Sequence, residues 1–460
     1  MRYSWTMVEV PVKTPTKNHS PWLFVVLFVV LQILGIVLCL ITWPEGKAPD
    51  ILFWIRLLMP TMAWIMVSCI LLGRIEMHQM MEKNWRCLRQ QYAIYRQNWA
   101  QLHWVVSAVA VVTPEADVAE RLLGLEGARP ENPGKNLSLP LDGDGNGDRC
   151  ATLLMQLLSP LAEAIRAAGN ISPPRVYLLG NAIDDEAALA LIWKELDLPR
   201  YQDLLKSPPD PFLFDGTHQN PSKPCNVILS YQLQERADDA SNCSELGAGL
   251  VFITDEVANM LKMKVRTVIM RPIESETEML GESLRTLSQG RQTDWTALRH
   301  TWISRLGKPA RNAARAAVHE LAPNAALHDV DHALGKAGES NGWLQQALAV
   351  QMVKHGQGDQ LVISSRDADN VTCNLLTAKP LPPLAQAGYV VPLSNYLCLA
   401  FFVPISVWFV NDALQDEATI ASPLIMLGLS LGTMVFLMLV GILFTHLTAR
   451  DFWRKVDGLD

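Results

Sequence analysis

The chain has 460 residues, of which 49% are hydrophobic and 18% are charged, and its formal net charge is −7. This acidic balance excludes the overall basic footprint of a nucleic-acid-binding protein. Eight cysteines are scattered without a Cys-x-x-Cys pair, which argues against a disulfide framework or a structural zinc site and fits a reducing compartment.

Four apolar segments near the chain ends predict transmembrane helices. They are residues 21–43, 51–73, 389–410 and 423–445. A helix as long as the first rises roughly 34 Å, enough to cross a hydrocarbon core of about 30 Å. Its apolar stretch is longer than a signal-peptide core and lacks a small-x-small cleavage site, so a membrane helix is favoured over a signal peptide. The segments pair into hairpins at 21–73 and 389–446.

Basic residues flank these hairpins on one side. They are Arg2, Lys13 and Lys17 in the tail 1–20, Arg74, Lys83, Arg86, Arg89 and Arg96 after the second span, and Arg450, Arg454 and Lys455 in the tail 447–460. The short loops between paired spans hold only Lys47. The positive-inside rule then places both termini and the central region in the cytoplasm, in a multi-pass protein of a bacterial inner membrane.

Residues 74–100 predict a helix that continues out of the second span. Its aromatic and basic residues fit lipid headgroups better than nucleic acid, because a membrane adjoins them. Arg74, Arg86, Arg89, Arg454 and Lys455 are therefore the expected contacts with the bilayer.

Residues 101–388 alternate strand and helix patterns, which predicts a mixed α/β domain with helices on both sheet faces. Strands are expected at 104–112, 175–179, 226–232, 249–254 and 266–271, with a strand pair in 360–376. Helices are expected at 117–125, 152–168, 186–196 and 343–354, with several more filling 274–320. Residues 127–148 and 208–224 are rich in turn residues or proline and predict loops.

Two motifs superficially suggest metal ions. Asp142-Gly-Asp144-Gly-Asn146 begins like a calcium-binding loop, but the twelfth position is Leu153, where a carboxylate is needed. His328 and His332 have the spacing of a metal-binding helix, yet no further ligands follow at a recognisable spacing. The sequence therefore predicts neither a metal site nor a cofactor.

Two patches in the second half of the domain suggest a family. One is Ser244-Glu-Leu-Gly-Ala-Gly-Leu-Val-Phe-Ile253, followed by Glu256-Val-Ala258; the other is Gly335-Lys-Ala-Gly-Glu-Ser-Asn-Gly342 and the helix after it. With residues 157–169 and 174–180, they resemble the β-ketoacyl synthase and thiolase fold. The resemblance implies a layered α/β domain with glycine turns at Gly247, Gly249, Gly335 and Gly342.

The same resemblance implies lost chemistry. Lys336 stands where the family has an active-site histidine, and the second histidine motif has no counterpart. The nucleophile region would fall within 181–224, which is short and rich in proline. Cys225 and Cys243 flank strands, and a buried or loop cysteine without a catalytic role is the favoured interpretation. The resemblance thus implies a fold without the catalysis, that is, a pseudoenzyme.

Three functions remain to be compared. The favoured hypothesis is a non-enzymatic inner-membrane interaction protein, in its narrowest form an accessory or immunity component of bacterial contact-dependent secretion. Its protein partner is unknown and self-association is left open. The alternative is a membrane-surface enzyme that condenses or transfers acyl thioesters. A transporter ranks last, because the four spans carry almost no ionisable residue at mid-depth.

Overall fold

The computed structural model describes residues 5, 10, 20–141, 146–182, 184–209, 213–214, 224–234, 243–264, 266–367, 369–384 and 423–456. The chain divides into two units. One comprises Met1–Met7 and Tyr95–Leu384, and the other Val8–Ile94 and Ala385–Asp460.

Helix α1 (Trp22–Thr42) and the first part of α2 (Ile51–Ala100) correspond to the first two predicted spans. In the described part of the chain, two helices are long and apolar enough to cross a membrane, Trp22–Thr42 and Arg56–Ala100. Only Cys39 of α1 is buried, so its apolar side chains face outward along most of the helix. Helix α2 runs unbroken through residues 74–100, as the sequence predicted for that segment.

The two hairpin helices pack closely against each other. A Cβ added to Gly35 would lie 1.9 Å from Cγ of Pro60, so only glycine permits this approach. The Gln32 amide donates to Thr61 Oγ1 at 2.5 Å, which satisfies the one strongly polar side chain of α1. Trp64 Nε1 donates to the Phe24 carbonyl at 2.9 Å.

The unit that includes Tyr95–Leu384 forms the α/β domain. Its strands are β1 (His103–Val112), β2 (Arg175–Leu179), β3 (Asp203–Leu205), β4 (Cys225–Gln232), β5 (Leu246–Ile253), β6 (Thr267–Met270), β7 (Ile273–Glu276), β8 (Leu298–Ser304), β9 (Ala326–Asp329), β10 (Asp359–Ser365) and β11 (Asn370–Thr377). Its helices are α3 (Val118–Leu123), α4 (Asn146–Gly169), α5 (Asp185–Glu195), α6 (Asp255–Met260), α7 (Leu280–Gln289), α8 (Lys308–Leu321), α9 (Val330–Leu334) and α10 (Asn341–Lys354).

The strands form one mixed sheet in the order β3-β2-β4-β5-β1-β6-β11-β10-β8-β9, with β7 paired to β11. The order is a duplication. Numbering the five main strands of each half along the chain gives 3-2-4-5-1 in both, and the fifth strand runs antiparallel to its neighbours in both. Antiparallel pairing of β1 with β6 joins the halves, from His103 opposite Met270 to Val106 opposite Thr267.

Both faces of this sheet are buried, which explains the continuous apolar runs of its central strands. In β1, Val105 faces α4, α5, α7 and α8, whereas its neighbours Trp104 and Val106 face α3 and α10. Helix α10 is enclosed almost all round, and even Gln345 and Gln346 are fully buried. It was predicted at 343–354 and begins at Asn341.

Two sequence expectations were wrong in the second half. The segment 274–320 was expected to be filled by helices. It contains the whole of β8 and the last residues of β7. Strand β9 was also missed in this half, as strand β3 was in the first half. In β8 the residues that face α10 are His300, Trp302 and Ser304, so the strand lacks the apolar alternation that identifies a strand.

The last two predicted spans are only partly described. Residues 389–410 and the calcium-like segment 142–145 lie outside the described residues. Residues 423–445 lie in helix α11 (Pro423–Val456). Four membrane spans therefore stay a prediction, as do the domain boundaries drawn from the sequence.

Candidate functional site

The segment that carries the family resemblance is the turn of residues 335–340 between α9 and α10, called here the Gly335 turn. Gly335 has φ 85° and ψ −147°, a conformation that is essentially reserved for glycine. A Cβ at this residue would lie 2.1 Å from the carbonyl oxygen of Lys135. The turn is thus covered by another part of the chain.

That covering segment is residues 130–141, called here the strap, which links α3 to α4. Its backbone bonds to both halves of the domain. Lys336 N donates to the Lys135 carbonyl at 2.9 Å, and Glu245 N donates to the Leu137 carbonyl at 2.8 Å. Ser244 Oγ lies between these bonds, accepting from Leu137 N and donating to the Lys135 carbonyl, both at 3.1 Å.

A buried carboxylate fastens the end of the strap. The Glu245 side chain is 1% exposed and forms an ion pair with Arg149 at 2.7 Å. Its oxygens also accept from Leu139 N at 2.7 Å and from Gln234 N at 2.9 Å. Each of these contacts donates to the carboxylate, so protein groups compensate its charge. Sequence reasoning missed this role, because the donors lie far apart in the chain.

Beneath the strap, amide side chains fill the space beside the Gly335 turn. Gln232 Nε2 donates to the Ser244 carbonyl at 2.6 Å and to Asn341 Oδ1 at 3.2 Å. Asn341 Oδ1 also accepts from Gly338 N at 2.9 Å. Both amide side chains are buried, so the network satisfies their polar groups internally.

Lys336, at the position matched to a family histidine, contributes its backbone to this arrangement. Its N–H and carbonyl bond to Lys135 and Ser244 at 2.9 Å each. Its side chain is exposed. The backbone role is open to any residue other than proline, so it does not require a lysine.

The other predicted glycine turns differ from the expectation. Gly247 and Gly249 lie inside β5, where a Cβ would approach Leu153 and Leu157 at 3.1 Å or Leu161 at 2.7 Å. They therefore allow α4 to pack closely on the sheet. Gly342 is the second residue of α10, where a Cβ would make only an ordinary contact with Ser364 Oγ at 3.8 Å.

The described cysteines of the domain are poorly suited to act as nucleophiles. Burial raises the pKa of the Cys225 thiol to about 12 and also raises the pKa of Cys373. Burial likewise raises the pKa of Cys243, despite the nearby Lys336 charge. A thiol with a raised pKa stays protonated at neutral pH, whereas a nucleophilic cysteine requires the thiolate.

The basic residues next to the predicted spans lie on α2 and α11. Arg74, Arg86 and Arg454 are exposed, and Arg86 pairs with Glu82. Arg89 and Lys455 are half-buried. Ring contacts between Trp85 and Phe452 and between Tyr92 and Trp453 bring the two helices together here, and Lys455 Nζ lies 5.3 Å from the Trp85 ring.

The structure separates the two histidines that the sequence placed four residues apart. His332 is exposed on α9, whereas His328 is buried on β9 with its Nε2 3.0 Å from Nδ1 of His300. Burial lowers the pKa of His328 to about 4 and also lowers the pKa of His300, which favours two neutral imidazoles joined by one N–H···N hydrogen bond. Within the described ranges, no group of three or more His, Cys, Asp or Glu residues is placed to hold a metal.

His103 and Asp255 form a pair whose stability depends on pH. Burial disfavours the imidazolium, but the hydrogen bonds to Asp255 and to the Gln101 carbonyl raise the pKa of His103 overall. The hydrogen bond from His103 lowers the pKa of Asp255. The imidazole and carboxylate are 2.9 Å apart.

We expect this pair to stabilise the domain at pH 5–6 and to lose its effect as the pH rises through the raised pKa of His103. The contribution should be below about 1 kcal/mol, since Asp255 is half exposed and screened by solvent. The measurement is the melting temperature in detergent micelles from pH 5 to 8, for the wild type and His103→Gln. A difference between the two that stays constant with pH would contradict the assignment.

No protein-family model and no curated protein matches the chain. Solved structures show a distant likeness. They include an oxazolomycin ketosynthase domain of Streptomyces albus (13% identity, 63% of this chain and 99% of that one, TM-score 0.43). Another is the ketosynthase of module 6 of the Bacillus subtilis bacillaene synthase (10% identity, 62% of this chain and 73% of that one, TM-score 0.43). A third is 3-oxoacyl-[acyl-carrier-protein] synthase III of Aquifex aeolicus (10% identity, 60% of this chain and 99% of that one, TM-score 0.39).

These values assign neither a family nor an activity to the chain. The fold is identified by its own topology: two halves with the same 3-2-4-5-1 strand order, in one mixed sheet between helices. Val251 of the first half and Val362 of the second half lie in this same sheet. The chain therefore contains a thiolase-like layered α/β domain.

Proposed function

We propose that this chain is a membrane-anchored interaction protein whose thiolase-like domain binds a partner without covalent acyl chemistry. The observation that supports it is the closed Gly335 turn. The Lys135 carbonyl sits against Gly335, and the buried Gln232–Asn341 network fills the space beside it. A segment positioned there would have to move before an acyl thioester could reach the turn.

The chemistry of the site supports the same proposal. Acyl transfer of this type needs a thiolate activated by a base within hydrogen-bond reach. At the matched position the exposed Lys336 side chain offers a solvated ammonium, and burial raises the pKa of Cys225 to about 12. Neither group is set up as a nucleophile or a base.

A double variant, Lys336→Ala with Cys225→Ala, tests this proposal. We expect the variant to keep its fold and its biological activity, with a loss of about 1 kcal/mol in unfolding free energy from the small cavity at Cys225. In parallel, the wild-type protein incubated with a long-chain acyl-coenzyme A should show no added acyl mass by intact-mass spectrometry. Iodoacetamide treatment of the unfolded protein is the control, because it shows that the thiols can be modified.

An acyl adduct on the wild type that the double variant lacks would instead establish the alternative, a membrane-surface enzyme acting on acyl thioesters. A folded double variant without biological activity would point the same way. Unchanged activity together with an unmodified mass supports the binding function.

The proposal also covers where the domain resides. Helices α1 and α2 supply two candidate spans, and the basic residues that follow the second span within α2 support a cytoplasmic domain on an inner membrane. Reporter fusions after residues 47 and 415 should be periplasmic, and those after 150 and 455 cytoplasmic. A periplasmic signal at 150 would overturn the orientation.

The narrowest form of the proposal, an accessory or immunity role in contact-dependent secretion, requires a secretion component or toxin as the captured partner.

A further inference from the structure

We infer that the last turn of α2 clamps together the three chain connections of the α/β domain. The chain leaves the domain unit after Met7, before Tyr95 and after Leu384. The residues of this arrangement, called here the α2 clamp, all lie within that unit and are Trp5, Arg96, Asn98, Trp99 and Leu384. The inference goes beyond the proposed binding function, because it concerns how the domain is held and not what it binds.

The N-terminal connection is fastened through Trp5. Its indole N–H donates to the Pro272 carbonyl at 2.9 Å, and its own carbonyl accepts from the Arg96 guanidinium at 2.7 Å. Its ring meets the Trp99 ring edge-on, with the centroids 5.4 Å apart. A Cβ at Gly290 would lie 3.0 Å from the Trp5 ring, so glycine leaves room for the indole there. Trp5 therefore has both a hydrogen-bonded N–H and an aromatic partner, the two contacts that fix a partly buried tryptophan.

The C-terminal connection is fastened through Asn98, one residue before Trp99. The Asn98 side chain accepts from Leu384 N at 3.1 Å and donates to the Leu384 carbonyl at 3.4 Å. A side-chain amide that bonds both main-chain groups of one residue holds it as a neighbouring antiparallel strand would. Leu381 N also donates to the Gln292 carbonyl at 3.4 Å, so the chain is held just before it leaves the domain.

The turn that receives both connections is fixed to the domain. Gln292 is fully buried, and its amide donates to the carbonyls of Ala100 and Arg271 at 2.7 Å each. The guanidinium of Arg271 lies 4.3 Å from the centre of the Trp99 ring, in a buried cation–π contact. A displacement of the turn would break these buried contacts together, so the turn and the domain move as one body.

The clamp makes the two fastened connections depend on each other. Arg96, Asn98 and Trp99 lie within about one turn of α2, so the tail and the segment that ends at Leu384 are seated on the same few residues. Loss of one seat shifts that turn and weakens the other. The domain is consequently held by three connections at one place, where a single flexible connection would let it move freely.

Hydrogen exchange in the full chain in detergent micelles tests the clamp. In Trp5→Ala we expect the Leu384 amide to exchange about ten times faster than in the wild type, although its acceptor Asn98 is intact. The amides of β5 should keep their protection, which shows that the domain remains folded. Trp5→Phe is the matched variant. It keeps a ring against Trp99 and loses the bond to Pro272, so its effect should be smaller.

Melting temperatures provide a second readout. Trp5→Ala and Asn98→Ala should each lower the melting temperature, and the double variant should lose less than the sum, because either change alone opens the clamp. Asn136→Ala is the control for loss of a side-chain amide. Asn136 is exposed on the strap, so this variant should leave both readouts unchanged.

Two results would overturn the inference. One is a Trp5→Ala variant that keeps β5 protected while Leu384 exchanges at the wild-type rate, and the other is losses from Trp5→Ala and Asn98→Ala that add in the double variant. If Trp5→Ala fails to fold, Trp5→Phe decides: a Leu384 amide that exchanges as in the wild type refutes the clamp. None of these readouts involves a partner or acyl chemistry, so the proposed function is tested separately.

Discussion

Replacing Gly335 by alanine should lower the unfolding free energy of the domain by about 3 kcal/mol or more. The backbone conformation at φ 85° and ψ −147° excludes side chains, which alone costs roughly 1–3 kcal/mol. The added methyl group would also lie 2.1 Å from the Lys135 carbonyl, a contact that the backbone of the strap cannot relieve without moving.

Gly342→Ala is the matched control for this substitution. The nearest atom to its Cβ is Ser364 Oγ at 3.8 Å, and the residue lies in the first turn of α10. Alanine favours helix over glycine, so the change should be neutral or stabilising by less than about 1 kcal/mol. Melting temperatures of the two variants in the same detergent provide the comparison. Similar losses from both would show that the Gly335 turn is not the constrained position described here.

Glu245→Ala should be comparably damaging. The carboxylate is almost fully buried and receives hydrogen bonds from Arg149, Leu139 N and Gln234 N. Its removal leaves two amides without an acceptor and a half-buried guanidinium with the Gln234 carbonyl, at 3.4 Å, as its described acceptor. Breaking a buried ion pair by removing one partner costs about 3–5 kcal/mol. We expect the loss in chemical denaturation of the full chain, with the strap amides losing hydrogen-exchange protection first.

Glu320→Ala is the control for Glu245→Ala. It removes an ion-paired carboxylate that is exposed, so the comparison separates the effect of burial from the effect of charge. Glu320 also pairs with an arginine, Arg285, at 2.7 Å, but both side chains are more than half exposed. Solvent and salt screen such a pair, so this variant should melt close to the wild type. Raising the salt concentration should weaken the exposed pair and leave the Glu245 effect unchanged. Equal losses from the two variants would contradict the role assigned to Glu245.

Sequence patterns alone predict the elements that carry a strong apolar signal. Helix α1, the first part of α2, β1 and β5 carry apolar runs, and the length and flanking residues of each run distinguish a long helix from a short buried strand. The sequence also determined that the matched position lacks an imidazole, because residue identity alone decides this. The long helix from residue 51 to residue 100 follows from good helix formers and the absence of a further proline after Pro60.

Elements whose polar residues find partners far along the chain could be identified only from the folded domain. Strand β8 has a buried Trp302 that donates to Gln360 and a Ser304 that donates to Asp331, so its polar residues fit the core although no local pattern indicates it. The same holds for Gly247 and Gly249, whose reason for being glycine is the approach of α4. The strap is the clearest case. Its proline, glycine and asparagine residues predict a loop, but the hydrogen bonds that place this loop over Gly335 come from Ser244 and Glu245, more than 100 residues away.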